Sequence, residues 1–531
     1  MNRFGGPTLE AGGTADVTLL LEGTYPFVSG GVSSWVHQII RGLPDLRFAL
    51  VFIGGSPESH DRLRYELPPN VVHLEEHYLG AARGCQRVAA RVGDVSFYRM
   101  SRELHDELAR GGSSDVLENV LERMVRALLE DPERHEKDFL SSESSWEQIC
   151  SHYERSAKTQ SFLEYFWTVR SMHAPLFVMA RAAASVPASR AFHVVSTGFA
   201  GFLGALLQKR RGRPLILTEH GIYSKERTIE LLQATWIRED DEDSDADPER
   251  YAVGYFRQTW IRFFEALGRM AYGAASPIVS LYEGNRQRQV RDGADPGRTR
   301  VVPNGIDLVR FTALRAKRPR SIPRVLGLVG RVVPIKDIKT FIRAMRVVAS
   351  ELPDAEGWIV GPEDEDPAYA EECHHLVRSL GLEEKVKFLG FRNVADVLPQ
   401  LGLNVLTSIS EAQPLVVLEG FAAGVPCVST DVGCVRELIH GSHPGDLYGP
   451  AGAVVDIASP EATARAALEL LGDVQRWSAA QAAGIARVEN LYTQEIMLAR
   501  YRSIYESALV PAQPTGGASM EGASWQGSDS S

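Results

Sequence analysis

The chain has 531 residues, of which 44% are hydrophobic and 24% charged, enough for two or three ordinary globular domains. A formal net charge of −11 excludes a general binder of nucleic acid or anionic membrane, so an anionic ligand must be held by local cations or backbone N–H groups. Five cysteines without metal-ligand spacing (Cys85, Cys150, Cys373, Cys427, Cys434) and no apolar run near the start longer than Val17 to Leu21 predict a cytoplasmic protein without signal peptide or membrane span.

Residues 1 to 15 are glycine-rich and read as loose. Val17 to Glu22 reads as a buried strand running into Gly23 and then Gly30-Gly31. A helix follows from Val32 to Leu43, with Trp35, Val36, Ile39 and Ile40 on one face. A strand, a glycine pair and a helix start let backbone approach a phosphate, although a tight strand-to-helix turn uses the same residues. Neither a dinucleotide G-x-G-x-x-G nor a Walker loop is present here. Phe48 to Gly54 and Val71 to Leu74 read as further strands. Between about 80 and 181 the texture is charge-rich and helix-periodic, as in Ser101 to Leu129 and Trp146 to Met179. That predicts a helical insertion in a parallel α/β domain, with its aromatic residues packing helices.

The α/β rhythm resumes at His193 to Ser196. Gly198, Gly201 and Gly204 have helical spacing and predict close helix–strand packing, since the first gap is one residue too long for a dinucleotide fingerprint. Pro214 to Thr218 reads as a strand delivering Glu219, His220 and Gly221 to its carboxyl end, the edge where open α/β sheets bind ligands. Asp240 to Asp247 is an acidic run that reads as a solvated, mobile segment. A helix from Tyr255 to Ala275 and strands at Pro277 to Tyr282 and Arg300 to Pro303 complete a first domain ending near residue 308.

A second domain, 309–490, opens with a strand at Val325 to Val329. Arg331 and Lys336 then flank the start of a helix that runs to Ser350. Cations there oppose the helix dipole, and a bound anion would resolve the opposition. Strands follow at Gly357 to Gly361 and Val386 to Phe391, the latter running into Arg392. The intervening helix, Pro367 to Leu380, carries Cys373, His374 and His375 as structural residues. Ser408 to Thr430, SISEAQPLVVLEGFAAGVPCVST, is the most informative stretch. Glu411 stands in a loop after a strand, Pro414 suits a first helical turn, and Leu415, Val416, Leu418, Phe421 and Ala422 give an apolar face before Gly424. The helix start offers free N–H groups and a positive dipole end to a phosphate. A wholly helical rise would separate Glu411 from Glu419 by about 12 Å, a span for a ligand with two polar ends. Pro460 to Asn490 and Thr493 to Leu509 read as helical, and the tail from Val510 reads as disordered.

The E-x7-E pattern, with Gly-Phe after the second glutamate and Gly-x-Pro beyond, resembles the signature of retaining family-four glycosyltransferases of the GT-B fold. Gly30-Gly31, His220, VPNGID and GRVVPIKD fall in that family's order. LLEGTYPFVSGGVSSWVHQII, TEHGIYSKERTIEL and the helical insertion resemble more closely its PelF branch, the cytosolic glycosyltransferases of Pel exopolysaccharide assembly. The resemblance covers nearly everything but the tail. It implies an α/β chain of two Rossmann-like domains facing a central cleft, with residues 491–509 crossing back onto the first. It implies a UDP-sugar donor, a growing polysaccharide as acceptor, and inner-membrane Pel proteins as partners.

By the same resemblance, Arg331, Lys336, the Gly30-Gly31 amides and the helix start at Pro414, Leu415 and Val416 would stabilise the diphosphate. Glu411 would hold sugar hydroxyls, Glu419 the ribose, and backbone around Phe391 and Arg392 the base. His220 would contact the sugar or the acceptor. Fixed cations would replace a metal, no other cofactor is called for, and same-face attack would be assisted by the leaving phosphate. Two other readings fit the residues: nucleotide-sugar epimerisation, and a non-catalytic donor-binding subunit of a membrane synthase.

Overall fold

The structure, a computed structural model, describes residues 5–10, 12–80, 92–93, 95–111, 114–234, 236–237, 254–441 and 445–510. The acidic run Asp240 to Asp247 and the tail beyond Val510 lie outside the described residues. Two parallel sheets form the frame. The first contains β1 (Thr14–Glu22), β2 (Phe48–Gly54), β3 (Val71–Tyr78), β4 (Ala188–Val194), β5 (Leu215–Glu219), β6 (Ile278–Ser280) and β7 (Thr299–Val301) in the order β3-β2-β1-β4-β5-β6-β7. The second contains β8 (Val325–Val329), β9 (Glu356–Val360), β10 (Val386–Gly390), β11 (Leu403–Leu406), β12 (Cys427–Thr430) and β13 (Gly452–Val455) in the order β10-β9-β8-β11-β12-β13. Helices cover both faces of such sheets, so their central strands read as unbroken apolar runs; β2 is buried along its whole length.

In the first domain the helices are α1 (Gly31–Gly42), the insertion α2 (Val95–Arg110), α3 (Ser114–Glu130), α4 (Pro132–Ser141), α5 (Glu143–Ser156) and α6 (Phe162–Ser185), then α7 (Phe199–Arg211), α8 (Tyr223–Gln233), α9 (Tyr255–Ala274) and α10 (Glu283–Arg291). The remainder are α11 (Leu308–Thr312), α12 (Ile338–Glu351), α13 (Pro367–Ser379), α14 (Val394–Val397), α15 (Leu415–Ala422), α16 (Val435–His440), α17 (Pro460–Gly472), α18 (Val474–Leu491) and α19 (Gln494–Leu509). None among the described residues is long and apolar enough to cross a membrane.

Several boundaries differ from the sequence expectation, for local reasons. β1 begins at Thr14, inside the stretch expected to be loose. The insertion runs to Ser185 rather than 181. Of its periodic segments, Ser101 to Leu129 divides between α2, ending at Arg110, and α3, beginning at Ser114, and Trp146 to Met179 divides at Ser161, which caps α6; between them Asp131 caps α4 and Ser142 caps α5. Likewise the single helix expected from Pro460 to Asn490 divides at Asp473, whose carboxylate accepts the Gln475 and Arg476 N–H groups at 2.9 and 3.0 Å. The close packing expected of the α7 glycines is present. A Cβ on Gly201 would stand 2.9 Å from the Ser196 carbonyl oxygen, and one on Gly204 2.9 Å from Leu215.

Two linkers join the domains side by side. Ile306 N–H donates to the Tyr492 carbonyl at 3.0 Å, and Gln494 N–H donates to the Ile306 carbonyl at 2.9 Å. Beyond this crossing α19 lies on the first domain, where the Tyr505 hydroxyl meets His193 Nδ1 at 2.7 Å and the Tyr501 hydroxyl meets Thr218 Oγ1 at 3.2 Å.

The second domain is tied internally by Arg487 of α18, whose side chain is wholly buried. Its guanidinium donates to Asp446 at 2.6 and 2.8 Å and to the carbonyls of Leu438, Ile439 and Gly449. Replacing Arg487 by Ala would strand the Asp446 carboxylate in the interior. We expect a loss of about 3–5 kcal/mol in urea unfolding, whereas Arg502→Ala, which breaks a solvent-exposed pair, should leave the unfolding midpoint nearly unchanged.

Candidate active site between the two sheets

Strand order reverses between β1 and β4 in the first sheet and between β8 and β11 in the second. Each sheet therefore has one crevice at its carboxyl edge, the place where such sheets hold ligands. The two crevices are filled differently.

In the first, the chain supplies its own carboxyl group. Glu22 ends β1, and its carboxylate accepts the Ala200 N–H at the start of α7 at 2.9 Å and the Tyr223 hydroxyl at 3.0 Å. Burial raises its pKa, while the N–H bond and Tyr223 pull it down. Gly198 leaves room for this arrangement, since a Cβ there would stand 2.8 Å from Glu22 Oε2 and overlap Tyr223. Nearby, Gly30 and Gly31 open α1 without a side-chain cap, and a Cβ on either would meet nothing within 4 Å.

In the second crevice, Arg331 follows β8 and Ser408 to Glu411 follow β11. Lys336 occupies a short turn before α12, so it does not begin that helix as the sequence suggested. Asp337 begins it, in the left-handed region at φ 43°, accepting the Thr340 N–H at 3.2 Å. The Lys336 ammonium pairs with Glu411, which also accepts the Ser408 hydroxyl at 2.8 Å. The pair is largely shielded, with side chains 18% and 15% exposed. Thr407 Oγ1 donates to the Lys336 and Asp337 carbonyls at 3.0 and 2.9 Å, lacing the two strand-end loops together. Arg331 is more open, at 54%, and pairs with Glu365.

Three residues after Glu411 the chain reaches Pro414 and the start of α15. Pro414 precedes it, no side chain caps it, and its first turn contains no acid, so the positive end of its dipole is unanswered. Only Leu415 onward is helical, so the 12 Å span computed for a continuous helix from Glu411 to Glu419 does not apply. Burial raises the Glu419 carboxyl pKa, opposed by the charge of Arg310. After β10, Phe391 is 83% exposed and Arg392 Nε donates to the Leu389 carbonyl at 3.1 Å.

The domains enclose a cavity of about 460 Å³, walled by Gly221, Glu226, Ile229 and Tyr282 on one side and Arg331, Ile335 and Glu411 on the other. Of the residues the sequence singled out, Arg331 and Glu411 meet on this wall; Lys336 reaches it through Glu411. Gly30, Gly31, His220, Phe391, Arg392, Pro414, Leu415, Val416 and Glu419 stand off its wall. His220 precedes Gly221 and packs edge-on against Trp35 of α1, ring centroids 4.7 Å apart. Its Nε2 is buried without a hydrogen-bond partner, and burial lowers its pKa to about 4, so the ring is neutral. A larger cavity of about 670 Å³, lined by Arg47, Pro68 and Asn70, lies by the amino ends of β2 and β3, the opposite edge from ligand binding.

Sequence reasoning missed Ser408, Gln413 and Glu226, although all three lie in stretches it quoted. Gln413 accepts the Asn304 N–H at 2.7 Å and so ties the Glu411 loop to the interdomain linker. Glu226 belongs to TEHGIYSKER and projects from the first turn of α8; the helical spacing alone gave no sign that this turn faces the cleft.

Gly433, at φ 55°, backs the Glu411 loop, and a Cβ there would overlap the carbonyls of Glu411 and Ala412. Gly433→Ala is expected to cost at least about 1–2 kcal/mol in chemical unfolding from the left-handed backbone alone. Ala at Gly445, where a Cβ meets nothing within 4 Å, serves as the neutral comparison.

The group 1 glycosyl transferase family model matches residues 323–473. D-inositol 3-phosphate glycosyltransferase 2 of Catenulispora acidiphila is 29% identical over 255 residues, covering 43% of this chain and 57% of that protein. Lipopolysaccharide core biosynthesis mannosyltransferase LpsB of Rhizobium meliloti is 30% identical over 219 residues, covering 39% of this chain and 61% of that protein. The chain thus spans little more than half the length of these curated relatives. Among solved structures, Anabaena HepE in complex with UDP and glucose aligns with a TM-score of 0.54 at 15% identity, over 93% of this chain and 100% of that one. Sucrose-phosphate synthase of Thermosynechococcus elongatus aligns at 0.56 and 16%, over 93% of this chain and 98% of that one. The fold is of the GT-B type, two Rossmann-like domains of parallel sheet. Its first domain places the protein in a family of its own: the chain belongs to the family described as Domain of unknown function (DUF3492), whose model matches residues 15–297, more than half of its length.

Proposed function

We propose that the protein is a glycosyltransferase that takes a hexose from a UDP-sugar and passes it, with retention of configuration, to a growing polysaccharide. One observation carries the reading. At the open crevice of the second sheet, Lys336 and Glu411 are paired, the Glu411 loop leads to the uncapped start of α15, and Arg331 stands on the cavity wall. A diphosphate entering there meets two cations and free N–H groups together. Its arrival exchanges Glu411 and Glu365 for phosphate oxygens as the partners of Lys336 and Arg331, and frees Glu411 for sugar hydroxyls. Fixed donors aimed at a leaving group are typically worth about 2.7–4 kcal/mol each. Glu419, on the same helix, would take the ribose, and the exposed Phe391 and neighbouring Arg392 the base. By the family resemblance His220 would contact the sugar or the acceptor; its ring is neutral and its Nε2 is buried behind the cavity wall without a partner.

The plugged first crevice supports placing the donor on the second domain and the acceptor against the first. The solved relative that binds UDP and glucose supports a UDP-sugar donor. Exopolysaccharide as product, of Pel type, and recruitment to inner-membrane assembly proteins rest on the resemblance of the first-domain stretches quoted above.

The test is UDP release from a panel of UDP-hexoses by wild type, Lys336→Ala and Glu411→Ala. Release from one donor, lowered about 10²–10³-fold in both variants, is the expected result. No release from any donor by wild type, or full activity in both variants, would overturn the reading. Isomerised donor without transfer would replace it with epimerisation.

A further inference from the structure

The cleft contains a carboxylate that the donor site leaves unused. Glu226 lies on the first turn of α8, on the first-domain wall that faces Arg331 and Glu411 across the cavity. The acids around it are committed: Glu22 to Ala200 and Tyr223, Glu219 to Thr197, Tyr272 and Gln289, Glu230 to Arg227, and Glu411 to Lys336. Among the described residues no hydrogen bond or ion pair engages the Glu226 carboxylate. Its position is nonetheless defined. Oε1 lies against Gly221, where any Cβ would overlap it, so the glycine after His220 is what admits the carboxylate to this place.

We propose that the Glu226 carboxylate receives and orients the incoming hydroxyl, of water or of a sugar acceptor, on the first-domain wall of the cleft. This rests on the glycosyl-transfer reading and deepens it by assigning the acceptor side. A hydroxyl approaching the donor from the first domain meets a hydrogen-bond acceptor with no competing protein partner. Ile222 and Ile229 on the same wall, with Ile335 opposite them, supply apolar surface of the kind a sugar ring's C–H face rests on.

The electrostatic setting agrees. Surrounding protein raises the Glu226 pKa to about 7, with Glu219 and Glu230 adding to the rise and Lys225 and Arg227 opposing it. Lining the same cavity are Tyr282 before α10 and, across the cleft, Arg331 and Glu411, while neutral His220 on the β5 loop stands behind the wall. On the helices packed against α8 stand Arg257 and Tyr272 of α9 and the Arg288–Asp292 pair, the latter bonded to Ser224. Because the residue is open to cleft water, the direction of the shift governs the prediction rather than its size. The ionised form accepts the hydroxyl, so the acceptor step strengthens as pH rises through the raised pKa and weakens below it.

The experiment measures UDP release from UDP-glucose and UDP-N-acetylglucosamine, with water as acceptor, from acid to mildly alkaline pH. Wild type is compared with Glu226→Gln and Gly221→Ala, and UDP affinity is measured by calorimetry for each. We expect a wild-type limb rising with pH, its midpoint above the ordinary carboxylate range. Glu226→Gln should lose that limb and fall roughly tenfold or more on the alkaline side, with UDP affinity unchanged. Gly221→Ala, which displaces the carboxylate without removing it, should lower the rate with the same UDP affinity. A Glu226→Gln enzyme that keeps rate and limb, or one whose UDP affinity falls in step with its rate, overturns the assignment and leaves the transferase reading standing. A wild type that releases no UDP from either donor removes both.

Discussion

The site depends on one ion pair, Lys336 to Glu411, at the point where the second sheet reverses its strand order. A shielded lysine and a shielded glutamate are each costly alone, so each holds the other in place. The loops that present them are fixed by the backbone: Thr407 bridges to Lys336 and Asp337, and Ile409 N–H donates to the Ile335 carbonyl at 2.8 Å. Without a ligand the cation is satisfied internally. On the proposed reading, a bound diphosphate would take the ammonium and release the carboxylate toward hydroxyls.

The contrast between the two crevices follows from where the chain places a carboxylate. Glu22 ends β1 and occupies the helix start of the first domain, with Tyr223 closing over it. Among the described residues no side chain caps α15 and its first turn holds no acid, while Glu411 is paired with Lys336. On the proposed reading, the two sheets would serve different halves of the reaction. Gln413, held by the interdomain linker through Asn304, connects the position of the Glu411 loop to the relative placement of the domains.

Much of this was legible in the sequence because parallel sheets write themselves plainly. Unbroken apolar runs, glycines at their ends and amphipathic helices between them gave the two α/β domains, and the placement of Arg331 and Glu411 at strand ends followed. Helix breaks at Ser161 and Asp473 were harder, since capping residues interrupt a helix without interrupting its apolar period. Glu226 and Glu22 were invisible for a different reason. Glu22 is held by contacts with Ala200 and Tyr223, far away in sequence, and Glu226 is placed on the cleft by the docking of α8; one chain read alone carries no record of either. The extent of the insertion was underestimated because α6 continues through Pro175 to Ser185.

The most direct test of the account is calorimetric binding of UDP and of uridine to wild type and to Lys336→Ala. If the Lys336–Glu411 crevice seats a diphosphate, wild type binds UDP far more tightly than uridine, and the substitution removes that advantage while leaving uridine binding intact. Equal affinity for the two ligands in wild type, or a UDP advantage that survives the loss of Lys336, would contradict it.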